Sequence, residues 1–157
     1  MHPTKNDLPA DSRAAMVALL NARLADALDL YTHAKQAHWN VKGPNFAALH
    51  GLFDDVSGHS LDWADTLAER AVALGGQALG TAATVAKTTA LPTFPTGASA
   101  AATLVESLAT SVAAFGAAVR AAIDTADAAG DKGTSDLFTG LSREADKDLW
   151  MLEAHRG

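Results

Sequence analysis

Apolar residues recur at three- and four-residue intervals in four long stretches of the chain, and no stretch shows the two-residue alternation of a strand. The first helix predicted by this pattern runs from about Pro9 or Ser12 to about Val41. Met16, Leu19, Leu20, Leu24, Leu28 and Tyr31 occupy its apolar positions. Lys42-Gly43-Pro44-Asn45 breaks it, and the asparagine can cap the next helix. The second runs from about Asn45 to Leu74 and stops at Gly75-Gly76. The third covers about Ala98 to Ala129 and ends at Gly130. The fourth covers about Thr134 to His155, with Leu137, Leu141, Leu149, Trp150 and Leu152 apolar. Met16 and Met151 read as core.

Between the second and third helices lies a connection from Gly75 to Gly97 that contains Gly80, Pro92 and Pro95. It is too long for a tight turn between bundle helices. A long crossover here lets the first two and last two helices of a four-helix bundle fit together, so the pattern predicts an all-α bundle. Thr81 to Ala86 predict a short helix inside the crossover. Residues 1–8 read as a short flexible N-terminal tail, and 9–157 as one bundle domain.

Composition narrows this picture. A chain of 157 residues is enough for one domain with a core, and 48% apolar content places it among globular proteins. Abundant alanine and few aromatics, 6%, favour helices packed closely together. With no cysteine, disulfides and thiolate metal sites are excluded. The first residues lack an apolar signal segment, and no run approaches the roughly 20 apolar residues of a membrane helix. The expectation is a soluble cytoplasmic protein with no membrane role. A net charge of -6 suits cation traffic better than phosphate contacts.

The second helix carries the informative chemistry. His50 and Asp54 are spaced i,i+4, and so are Asp65 and Glu69, so each pair shares a helical face. Asp54 and Asp65 also fall on nearly the same face, at about 100° per residue. The two pairs are about 16 Å apart along the axis, too far for one metal within one chain. Their numbers are palindromic, however: His50 and Glu69 are centred on the same point as Asp54 and Asp65. Two copies of this helix crossing antiparallel about a two-fold axis near His59 and Ser60 would set His50 against Glu69 of the partner subunit, and Asp54 against Asp65 of the partner subunit. The small residues Ser57, Gly58 and Ser60 would let the helices approach. A hairpin centred near Pro44 brings His38 beside His50. The candidate site is then His38, His50 and Asp54 from one chain with Asp65 and Glu69 from the other. Imidazole plus carboxylate suits iron, with zinc or manganese as substitutes. His59, near the axis, reads as buried and hydrogen-bonded, and His33 points away from His38.

The run Lys35-Gln36-Ala37-His38-Trp39-Asn40-Val41-Lys42-Gly43-Pro44-Asn45-Phe46 resembles the signature of the Dps family, the DNA-binding proteins from starved cells. Leu49-His50, Phe53-Asp54, Asp65 to Arg70, Leu74-Gly75-Gly76, Ser142-Arg143, Asp146-Lys147 and Leu149-Trp150 resemble it too. The resemblance implies a ferritin-like four-helix subunit and a hollow homo-dodecamer. It also implies inter-subunit ferroxidase sites on His38, His50, Asp54, Asp65 and Glu69. The activity implied is Fe(II) oxidation, preferably with hydrogen peroxide, storage of the ferric mineral and protection against oxidative damage. Trp39 resembles a family tryptophan that traps stray oxidising equivalents, with plain packing as the other reading. Asp131 and Asp136, and less closely Asp127, resemble the acidic residues lining an iron-entry pore, against a solvated, capped turn. No Glu-x-x-His occurs, so an intra-subunit di-iron centre of the larger ferritin type is not expected.

The alternative reading is a nucleoid-associated DNA-binding protein with secondary iron binding. Lys5 and Arg13 are offset by Asp7 and Asp11, and Arg156 alone is basic beyond the last helix. DNA binding is therefore expected to be weak or absent. A gel shift of DNA at about 0.15 M salt would contradict that.

Overall fold

The computed structural model describes residues 1–156. Among them are five helices: α1 (Ala10–Asn40), α2 (Phe46–Ala73), α3 (Ala82–Thr88), α4 (Ala101–Ala128) and α5 (Lys132–Glu153). The long helices form two hairpins, α1 with α2 and α4 with α5, joined by the crossover that contains α3. The expected all-α bundle is thus found, with its short crossover helix capped by Thr81, whose side chain accepts from the Thr84 amide.

Glycine sets two of the helix ends. Gly75 and Gly130 both have positive φ, +88° and +79°. Each closes its helix with a pair of backbone bonds from the following turn, Gly76 N–H to Ala71 O and Asp131 N–H to Ala126 O among them. Helix starts were less regular than expected. Asn45 precedes α2 in the left-handed region at φ 62°, and its side chain makes no capping bond. Helix α5 starts at Lys132, because the Asp131 carboxylate accepts from the Thr134 amide at 2.9 Å.

The core runs the length of the bundle. Trp63 of α2 lies parallel to Phe115 of α4, with centroids 5.2 Å apart and planes 5° apart, and Phe53 and Phe138 are fully buried. Helix α4 is long and apolar enough to cross a membrane, contrary to the sequence expectation. Half of its most apolar window is buried, and Leu104, Leu108, Val112, Phe115 and Val119 are core, which accounts for the composition. Trp150 and Met151 are exposed, not core, at the far end of α5.

Two polar residues of α1 hold the crossover in place. Asn21 donates to Gln77 O at 2.9 Å and accepts from Leu79 N–H at 2.8 Å. Asp26, nearly fully buried, accepts from Ala90 N–H at 2.8 Å and pairs with Arg23 at 2.8 Å. Burial pushes the Asp26 carboxyl up, against the pull of the Ala90 amide and Arg23. The α1–α2 turn is fastened from the other side, where Lys42 N–H donates to Ser99 O at 2.9 Å. Residues near the N-terminus lie along the end of α2, with His2 N–H on Gly75 O at 2.7 Å.

Candidate metal centre

The α1–α2 hairpin brings the last turn of α1 against the beginning of α2, and two histidines meet there. His38 Nδ1 lies 2.7 Å from the His50 carbonyl oxygen, and His50 Nδ1 lies 2.8 Å from the His38 carbonyl oxygen. A carbonyl only accepts, so both Nδ1 atoms carry the proton. Each ring is thereby locked in one tautomer, with an Nε2 lone pair left for a metal. The rings stack 3.7 Å apart, and the Phe46 ring lies 5.2 Å from that of His50.

Asp54 sits one turn beyond His50 and is exposed. Its Oδ1 accepts from Lys35 Nζ at 2.7 Å and from Ser57 Oγ at 3.3 Å. The Lys35 ammonium holds the Asp54 carboxyl below the usual carboxylate range, so it is ionised and ready to bind a cation. Lys35 also lies 5.7 Å from the centroid of the Trp39 ring, which is 67% exposed. Lys35 was missed as part of the site, although its position three residues before His38 puts both on one side of α1.

Asp65 and Glu69 are exposed further along α2. Among the described residues no three histidine or carboxylate side chains converge to hold a metal. The structure therefore brings His38 against His50, sets Asp54 one turn on against Lys35, and leaves Asp65 and Glu69 apart. Beside Asp65 lies a shallow hollow of about 270 Å³, lined by Leu24, Leu28, Leu61, Ala64, Ala68 and Gly80.

Several sequence expectations need correction. Ser57 and Ser60 are buried and donate to Asp54 O and Val56 O within the chain, so only Gly58 is free at the expected crossing point. His59 is neither buried nor on the face of Asp54: five residues on, it is turned about 140° around the helix. It is half exposed and bonds to Asp148 of α5. Asp131 is 2% exposed, caps α5, and pairs with Arg70 at 2.8 Å, so its carboxylate is engaged within the protomer. Donation from Thr134 and Arg70 outweighs the desolvation of Asp131 and holds its carboxyl below the usual range. Asp136 is exposed, and Asp127 is exposed and paired with Lys132.

The ferritin-like domain family matches residues 17–157. A DNA protection during starvation protein of Agrobacterium fabrum is 44% identical over 154 residues, 98% of this chain and 95% of that one. Among solved structures, DpsC from Streptomyces coelicolor superposes with a TM-score of 0.93 at 30% identity, over 100% of this chain and 91% of that chain. The Dps protein of Vibrio cholerae O1, described as a member of a broad superfamily of ferritin-like diiron-carboxylate proteins, superposes with a TM-score of 0.92 at 25% identity. That match covers 100% of this chain and 98% of the other.

Proposed function

The chain belongs to the ferritin-like Dps family, an iron-storage family, and from that premise we propose a peroxide-driven ferroxidase whose sites are completed between two protomers. In this reading His38, His50 and Asp54 of one protomer bind Fe(II) together with Asp65 and Glu69 of the partner subunit. The protomers assemble further into a dodecameric cage that holds the ferric product.

The observation that carries the reading is the reciprocal lock between His38 and His50. Two imidazoles with both Nδ1 protons spent on backbone carbonyls are preorganised as Nε2 donors at no cost in ring freedom when iron arrives. Carboxylates opposite them neutralise the ion and stabilise the ferric state. Asp54 is shared with Lys35 until a cation displaces the ammonium. Iron is the substrate: Fe(II) loses one electron to peroxide, and each peroxide takes two. Trp39 stands exposed beside the site, within reach of radicals that escape this transfer.

Anaerobic loading with Fe(II) followed by hydrogen peroxide tests the function directly. Rapid growth of ferric absorbance with the iron kept in solution supports it. Precipitation at the rate of protein-free iron contradicts it.

The pairing makes a separate prediction. Gly58 is exposed, and a Cβ built there meets nothing within 4 Å of its own chain. On the antiparallel arrangement it lies against Leu61 of the partner subunit. Gly58→Arg is therefore expected to leave the protomer's helicity unchanged while shifting sedimentation to smaller species. Sedimentation identical to the parent protein would refute the crossing point.

A further inference from the structure

The groove between α2 and α5 holds a histidine and two carboxylates, turned away from His38 and His50. His59 Nδ1 lies 3.0 Å from both oxygens of Asp148. Asp148 is 4% exposed and has no other hydrogen-bond donor among the described residues. One ring N–H therefore serves a buried carboxylate with two oxygens. The carboxylate fixes the proton on Nδ1, and the half-exposed ring keeps Nε2 for a ligand. This is the carboxylate–histidine arrangement that orients imidazoles on metals.

One turn before Asp148 on α5, Glu144 is held as well. Its Oε2 accepts from Trp63 Nε1 at 2.6 Å, and Trp63 is itself clamped against Phe115. The other Glu144 oxygen has no partner among the described residues. His59, Glu144 and Asp148 line one cavity of about 310 Å³ together with Lys147. The two oriented ligands in it come from different helices, and each is fixed by a second-sphere bond of its own.

We propose that His59 and Glu144 form a second cation site, taking a divalent first-row metal ion with water completing its shell and Asp148 orienting the histidine. Imidazole and carboxylate together select this class of ion. The site is independent of the centre at His38 and His50 and does not require a partner subunit.

Calorimetric titration with Co(II) tests it in a His50→Ala, Asp65→Ala background, which removes the other centre. One Co(II) per chain is expected. Adding His59→Gln, whose amide still donates to Asp148, is expected to abolish binding with thermal unfolding little changed. Adding Asp148→Asn is expected to weaken it roughly 10–100-fold. No Co(II) uptake in the background protein, or uptake unchanged by His59→Gln, overturns the site. Unchanged affinity in Asp148→Asn overturns the orienting role.

Discussion

His50→Ala is expected to slow peroxide-driven Fe(II) oxidation roughly 100-fold or more, because loss of a ligand exceeds the cost of losing an orienting partner. The substitution is unusually selective in this hairpin. The residue 50 carbonyl remains, so His38 Nδ1 keeps its acceptor and His38 stays oriented. What disappears is one Nε2 donor, the bond from His50 Nδ1 to the His38 carbonyl, and the stack with His38 and Phe46. The helices should therefore stay folded while iron handling fails. Initial rates of ferric absorbance, with far-ultraviolet dichroism as the fold control, measure both. A rate equal to that of the parent protein would remove His50 from the site.

Phe115→Ala is expected to cost about 3–5 kcal/mol of stability, the range for deleting a fully buried phenylalanine. Its ring has no solvent exposure and covers the face of Trp63. The resulting cavity would lie between α2 and α4, in the middle of rigid helices with little freedom to collapse. Trp63 would lose the contact that holds its indole N–H on Glu144, so the α2–α5 groove should loosen too. Denaturant unfolding at fixed protein concentration reports the loss, since assembly couples stability to concentration. A change below about 1 kcal/mol would mean that this stack is not a close-packed part of the core.

Much of this was legible from residue spacing. The helical period located all four long helices, because each buries one continuous stripe. The ends were less exact for identifiable reasons. Helix α4 starts three residues later than expected, at Ala101, because the residues before it turn back: Ala98 N–H bonds to Pro95 O, and Ser99 O is taken by Lys42. Helix α5 starts two residues earlier because Asp131 caps it, its carboxylate accepting from the Thr134 amide; the Arg70 contact that also holds this carboxylate spans 61 residues, and no local pattern carries it. Leu152, one residue further on, is fully buried, so Trp150 and Met151 are exposed because they are turned about 160° and 100° around α5 from its buried face.

The candidate centre was readable in part. Equal distances from Pro44 placed His38 beside His50, and that contact is found. The reciprocal bonding was not readable, since it depends on the depth at which the two helices meet. Lys35 on Asp54 could have been anticipated from helix geometry. So could the turning of His59 away from Asp54. Its partner Asp148, 89 residues distant, could not. The joining of both halves of the iron site rests on the palindromic spacing along α2, which is a property of the sequence.

Co-assembly of two defective chains tests that joining most directly. His50→Ala and Glu69→Ala proteins, each impaired alone, would be unfolded together, reassembled in equal amounts and assayed with Fe(II) and peroxide. If each site draws His50 from one protomer and Glu69 from the other, random pairing restores about a quarter of the sites, and about a quarter of the parent rate should return. Normal assembly with no recovery of rate would contradict a site shared between protomers.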